Sequence, residues 1–186
     1  MPRLPYLEAE ESADPEVVGA AYEFVRGLGR PVANLYKVLA NQPPALQAFL
    51  GMSHYIRDTS SLDRRLVETA VLATARALDQ PYERAHHERS ARAVGVPEET
   101  ITAIAERRTS TLGPLEQLVV EYADQVADRR HVAESVVEAL RTELGDAGVT
   151  DLVLTVAWYH LCAAVLGPLE VDLEPEFLGR ESGGEK

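Results

Sequence analysis

The sequence predicts an all-α fold, one domain built as a bundle of about eight helices. Three observations carry that prediction. Ala, Leu, Glu and Arg dominate, while Ile and Phe are few, and the first four are strong helix formers. Strict apolar/polar alternation never persists beyond about four or five residues, so no half-buried strand is indicated. The Pro, Gly, Asp and Ser residues fall where helices start and stop.

Taken in order, Asp14-Pro15 supplies an N-cap and an N1 proline for Glu16–Leu28, which ends at Gly29. A short helix follows near Val32–Ala40. Asn41-Gln42-Pro43-Pro44 interrupts the chain, and Ala45–Arg57 resumes it. Thr59-Ser60-Ser61 offers a capping segment for Asp63–Leu78. Asp79-Gln80-Pro81 breaks the chain again and restarts it at Tyr82–Val94, capped by Gly95. Pro97-Glu98-Glu99 opens a helix to about Arg107, and Gly113-Pro114 opens another to Asp128. His131–Leu144 ends at Gly145, and Val149–Leu166, the most apolar segment, ends at Gly167-Pro168. From Glu174 the chain reads as an arm or frayed tail, with disorder expected at Ser182-Gly183-Gly184.

The charge balance narrows the partners. Thirty acidic residues against 18 basic ones give a formal charge of −12. No basic face for phosphate contacts or anionic lipid is expected, so neither nucleic acid nor membrane is a predicted partner. No stretch reaches 18 uncharged apolar residues, and the Pro- and Glu-rich segment Met1–Asp14 lacks the pattern of a signal peptide. A cytoplasmic location is the resulting expectation. The one cysteine, Cys162, has no second thiol for an internal disulfide, a redox pair or a cysteine zinc cage.

Two helices read as central. Asp63–Leu78 is apolar nearly all round, and its narrow polar strip consists of Arg64, Arg65, Thr69 and Arg76. Glu68 lies at the edge of that strip beside Val71, Leu72 and Ala75, so its carboxylate is expected to be partly desolvated. An ion pair with Arg64 or Arg65 is the plainer account of it. In Val149–Leu166, Trp158 and Tyr159 cannot both face one core, so either one meets a subunit or pocket or both pack internally. Cys162 reads as an inert buried thiol.

The densest set of titratable groups is Gln80–Arg89. Adjacent histidines on a helix diverge by about 100°, so His86 and His87 serve different surroundings. His87 shares a face with Glu83 and Arg84, and His86 shares one with Tyr82 and Glu83. Histidine suits proton transfer near neutral pH, and a carboxylate partner fixes its tautomer and raises its basicity. Glu68 supplies that carboxylate if the break at Asp79–Pro81 makes a helical hairpin. Two ordinary histidines are the competing reading. Glu83-x-x-His86 with the looser Asp128-x-x-His131 leaves a helix-bundle metal site as a further alternative, although Arg129 and Arg130 place positive charge against a cation.

Ser61–Glu68, Ala73–Leu78, Tyr82–His87 and Ala91–Val96 together resemble the carboxymuconolactone decarboxylase family, which includes the alkylhydroperoxidase D-like proteins. Asn34–Ala40 with Gln42-Pro43 resembles the segment preceding this core in actinobacterial-type members. The likeness runs over about residues 30–172. It implies an all-α fold, a homotrimer or homohexamer, and a pocket near subunit contacts. On this reading residues 1–30 are an N-terminal arm and first helix, 31–173 the family-like helical domain, and 174–186 a C-terminal tail.

In the peroxidase branch of that family a glutamate precedes Cys-x-x-Cys-x-x-x-His. Placed residue by residue, the glutamate falls on Glu68, the cysteines on Gln80 and Glu83, and the histidine on His87. Both thiols are absent, and dithiol peroxide reduction needs an attacking thiolate and a resolving thiol. What remains resembles the decarboxylase side, which works without metal or organic cofactor on a small organic acid or lactone. The resemblance assigns proton transfer to His87, its orientation to Glu68, and substrate contacts to Tyr82, Glu83, His86 and Arg84. A non-catalytic small-molecule-binding oligomer is the alternative on the same fold.

Overall fold

A computed structural model describes residues 2–129 and 131–178, without the side chain of Arg129. Arg130, read as charge against a cation, and Ser182-Gly183-Gly184, where disorder is expected, lie outside the described residues. Among the described residues the fold is all-helical: α1 (Pro15–Gly27), α2 (Asn34–Leu39), α3 (Pro43–His54), α4 (Arg64–Ala77), α5 (Pro81–Ala93), α6 (Glu98–Ala105), α7 (Pro114–Arg129), α8 (Glu134–Leu169) and α9 (Pro175–Leu178). They cluster into two compact units, one running to His54 and resuming at Val165, the other spanning Tyr55–Ala164.

In the first unit, the Asp14 carboxylate accepts the Val17 N–H at 3.1 Å and Pro15 occupies N1, so α1 starts as expected. Its buried face is Val18, Ala21, Tyr22 and Val25, the i, i+3, i+4, i+7 stripe of a surface helix. These residues form a core with Ala40, Leu46 and Leu50. The Tyr22 hydroxyl donates to the Leu7 carbonyl at 2.7 Å and ties the N-terminal segment to α1. Glu174 is buried and accepts the Asn34 N–H at 2.7 Å, and α9 adds a single helical turn that the sequence reading does not include. His54 packs edge-on against Phe24 with ring centroids 5.2 Å apart.

In the second unit, α4 is the central rod, packed by α5, α6 and α7. Every residue from Val67 to Ala75 is buried: the apolar positions follow the wheel, while Thr69, read as part of the polar strip, and Glu68, read as partly desolvated, are fully enclosed as well. Arg76 clamps the outer end: it donates to the Ile104 carbonyl at 3.1 Å and pairs with Asp124. The cap of α4 differs from expectation. Asp63, not Thr59–Ser61, accepts the Arg65 N–H at 2.9 Å. The residues ahead of it are drawn into a five-residue π-type turn, Tyr55–Thr59, closed by the Ser60 N–H on the Tyr55 carbonyl at 2.7 Å. Leu78 to Gln80 join α4 to α5, with Asp79 at a positive φ of 49° and the Gln80 side chain accepting the Tyr82 N–H at 3.2 Å. The connection is short enough to make the expected hairpin.

The two helices expected at His131–Leu144 and Val149–Leu166 are joined end to end in α8, which bends at Gly145 (φ 68°, ψ 175°). That backbone region is open essentially only to glycine. A Cβ there would meet no neighbour within 4 Å, so the cost of adding one is conformational alone. Gly145→Ala is expected to destabilise the chain by about 1–3 kcal/mol, read by urea unfolding. An unchanged midpoint would show that the bend is unstrained for alanine. By length and composition α8 is also long and apolar enough to cross a membrane, with 33% of its apolar window buried. Counting uncharged residues only passes over this window.

Candidate functional site

The α4–α5 hairpin brings Glu68 and His87 together. Glu68 is fully buried and His87 is 4% exposed. Glu68 Oε2 lies 2.6 Å from His87 Nδ1, and Glu68 Oε1 accepts from Arg64 Nη2 at 2.8 Å. The pairing with Arg64 read from the i, i+4 spacing is therefore present as well, and one carboxylate serves both partners. On the other side of the ring, Glu83 Oε2 stands 3.4 Å from His87 Nε2, one helical turn back on α5. Glu83 is also buried. The imidazole is thus flanked by a carboxylate at each nitrogen.

The wall of this site comes from α8. Tyr159 meets the His87 ring edge-on, with centroids 4.8 Å apart and planes at 83°. Of the two adjacent aromatics, Tyr159 is the one turned into the core, and Trp158 is half-buried. Cys162 is buried three residues further on, within reach of the Glu83 charge. Arg57, on the π-type turn, completes the charged shell and acts on Glu68, Tyr159 and Cys162.

The electrostatics follow from this arrangement. Burial works against the charged form of His87, but the Glu68 carboxylate, with help from Glu83, outweighs it and raises the imidazole pKa above its ordinary value. Burial likewise opposes ionised Glu68, but His87 and the two arginines outweigh it and hold the carboxyl below its usual range. Burial, and for Cys162 the Glu83 charge, push both the Tyr159 phenol and the Cys162 thiol well above their ordinary values. Cys162 is therefore a neutral thiol near neutral pH, in keeping with the inert reading.

The remaining residues singled out from the sequence take other places. Tyr82 is buried and stacks on the half-buried His86, with centroids 4.6 Å apart and planes at 24°. Arg84 is exposed. The Glu83-x-x-His86 unit is split, because Glu83 faces His87 while His86 stacks on Tyr82. No three His, Cys, Asp or Glu side chains among the described residues converge as a cation cage. Arg57 is the member the sequence reading passes over: it sits in a turn, where periodicity assigns no face.

Residues 43–125 match the family model of the carboxymuconolactone decarboxylase family. No curated protein matches the chain. Among solved structures, the chain is similar to an alkylhydroperoxidase AhpD core, an uncharacterized peroxidase-related protein from Ralstonia eutropha JMP134. They share 20% identity, with 95% of this chain and 94% of that one covered and a TM-score of 0.81. It is also similar to an uncharacterized peroxidase-related protein from Silicibacter sp. TM1040, at 18% identity, 95% and 92% coverage and a TM-score of 0.79. A third similar structure is a variant of the debrominase Bmp8 in complex with 2,3,4-tribromopyrrole, at 15% identity, 94% and 93% coverage and a TM-score of 0.77. At these identities the likeness shows a shared helical fold.

Proposed function

We propose, from the match of residues 43–125 to the carboxymuconolactone decarboxylase family, that the chain is a cofactor-independent lyase using acid–base chemistry on a small organic acid or lactone. The observation that carries this reading is the buried imidazole set between Glu68 at Nδ1 and Glu83 at Nε2. Glu68 fixes the ring and favours its charged form, and the imidazolium is the proton store. In this reading Glu83, facing Nε2, is the carboxylate through which a proton reaches a bound substrate. When an activated acid loses carbon dioxide, the electrons of the breaking C–C bond pass to an enolate-type anion. That anion needs nearby positive charge and then one proton at carbon. Arg57 and His87 supply the charge in this reading, and the relay supplies the proton. Tyr82 and His86 form the stacked surface on which an unsaturated ring is expected to lie. Dithiol peroxide reduction has no place in it, since Gln80 and Glu83 occupy the thiol positions and Cys162 stays protonated.

Self-association belongs to the same proposal. Val153 and Leu161 are 39% and 45% exposed on α8, with exposed Ala157 between them at helical spacing. This apolar row is the surface we expect a second copy to cover.

One observation favours the non-catalytic alternative: both imidazole nitrogens already face carboxylates, as in a purely structural ion network. The deciding experiment incubates the protein, in chelator-treated deuterated buffer, with activated carboxylic acids and lactones. Carbon dioxide release, ring opening and deuterium at carbon are followed by NMR. Turnover that survives in Cys162→Ser and disappears in His87→Ala is expected. Ligands that bind without any turnover would leave the binder reading standing.

A further inference from the structure

We propose that Asp151 is a positioning residue that clamps the Tyr55–Thr59 turn and thereby sets Arg57 against the Glu68–His87–Glu83 site. Asp151 is 4% exposed on α8. Its Oδ1 accepts the Tyr55 hydroxyl at 2.5 Å, at the first residue of the turn. Its Oδ2 accepts both the backbone N–H and the hydroxyl of Ser61 at 2.8 Å each, just beyond the last. One carboxylate thus fastens the turn at both ends, and charge-assisted bonds of this kind are the strong ones.

The clamp is in register with the site. Asp151, Thr155, Tyr159 and Cys162 are all buried on one face of α8, at i, i+4, i+8 and i+11. The face that brings Tyr159 to the His87 ring therefore also fixes the turn two helical turns earlier. Arg57 is the middle residue of that turn, with its Nε enclosed. Its turn is fastened to the same α8 face that carries Tyr159 against the His87 ring, and its charge acts on Glu68, Tyr159 and Cys162. The Asp151 carboxyl itself is kept below its ordinary value: burial opposes this, but the bonds from Tyr55, Ser61 and Ser60 outweigh it. The anion that makes the clamp therefore persists across the neutral range.

The test reads the proton equilibrium of His87 in the isotopically labelled full chain by NMR. It needs no turnover, so it stands or falls separately from the lyase reading. The imidazole is met by Glu68 from α4, Glu83 from α5 and Tyr159 from α8, and around these stand Arg64, bonded to Glu68, Cys162 beside Glu83, and Arg57 from the turn, whose charge acts on Glu68. Removing a cation from this set makes protonation easier, so Arg57→Gln is expected to move the midpoint upward and Arg57→Lys to restore most of it. Tyr55→Phe with Ser61→Ala changes no charge yet loosens the clamp, and it is expected to move the midpoint the same way. Added to Arg57→Gln, the same pair is expected to add nothing. Asp151→Asn discriminates further, because losing a nearby anion lowers the midpoint directly while releasing Arg57 raises it. The expected result is a net rise. Tyr55 is 36% exposed, so Tyr55→Phe alone remains a folded fallback. An unmoved midpoint in the charge-neutral variants, with Arg57→Gln shifted, would overturn the positioning role. An unmoved midpoint in Arg57→Gln would remove Arg57 from the site.

Discussion

Glu68→Gln is expected to cost about 3–5 kcal/mol of folding stability, because it strips the anion from two buried or half-buried cations at once. The substitution keeps the volume of the side chain, so cavity formation plays little part. What it leaves is His87, 4% exposed, with its Nδ1 facing a carboxamide, and Arg64 without the carboxylate to which it donates on α4. The loss is also expected to depend on pH. The raised pKa of His87 contributes stability that is fully present below the unfolded value near 6.5 and fades as pH rises through the folded one. The lowered pKa of Glu68 contributes stability present above the unfolded value near 4.5 and lost as pH falls through the folded one. The pair therefore stabilises most between those two values. Urea unfolding of both proteins at pH 4, 5.5 and 8 should show the largest gap at the middle value. A gap that is small, or constant across the three, would mean that the pair is not charged as described.

How far the sequence carries this site depends on the distance over which each contact is encoded. The α4 wheel shows its burial because a helix repeats its face every few residues. The break at Asp79–Pro81 shows the hairpin because capping and proline geometry are local. Glu68 and His87 then meet almost as a consequence, nineteen residues apart across one turn. Glu83 is legible as a neighbour of His87 at i−4, and the structure adds that it faces the ring nitrogen. Asp151 and Tyr55 are different. They lie 96 residues apart, and no periodicity links an aspartate inside an apolar helix to a tyrosine at the end of another. The same blind spot explains the capping difference: Ser61 has cap chemistry, but a distant carboxylate claims it. Arg57 was hidden by the π-type turn, which removes the 3.6-residue period just where the residue sits.

His87→Ala is expected to lower kcat by about 10²–10⁴-fold on whichever acid or lactone the panel yields, the usual contribution of a positioned proton donor. Glu83→Gln is expected to fall in the same range, and the reason lies in which nitrogen is free to act. Nδ1 is closed by Glu68 at 2.6 Å, so a proton leaves the ring only through Nε2. Glu83 stands before Nε2 at 3.4 Å, longer than a tight hydrogen bond and short enough to close when substrate binds. A carboxylate there can take the proton and pass it on, whereas a carboxamide cannot. Glu83 also raises the imidazole pKa, so its neutral replacement lowers it. The alkaline limb of the rate profile in Glu83→Gln should accordingly move to lower pH, and Glu83→Asp should recover part of the rate without that displacement. If substrate instead pushes Glu83 aside to reach Nε2 directly, removing the carboxylate relieves an obstacle and kcat holds or rises. Rates measured across pH for the three variants separate these routes, and a Glu83→Gln protein as fast as the parent would exclude the relay.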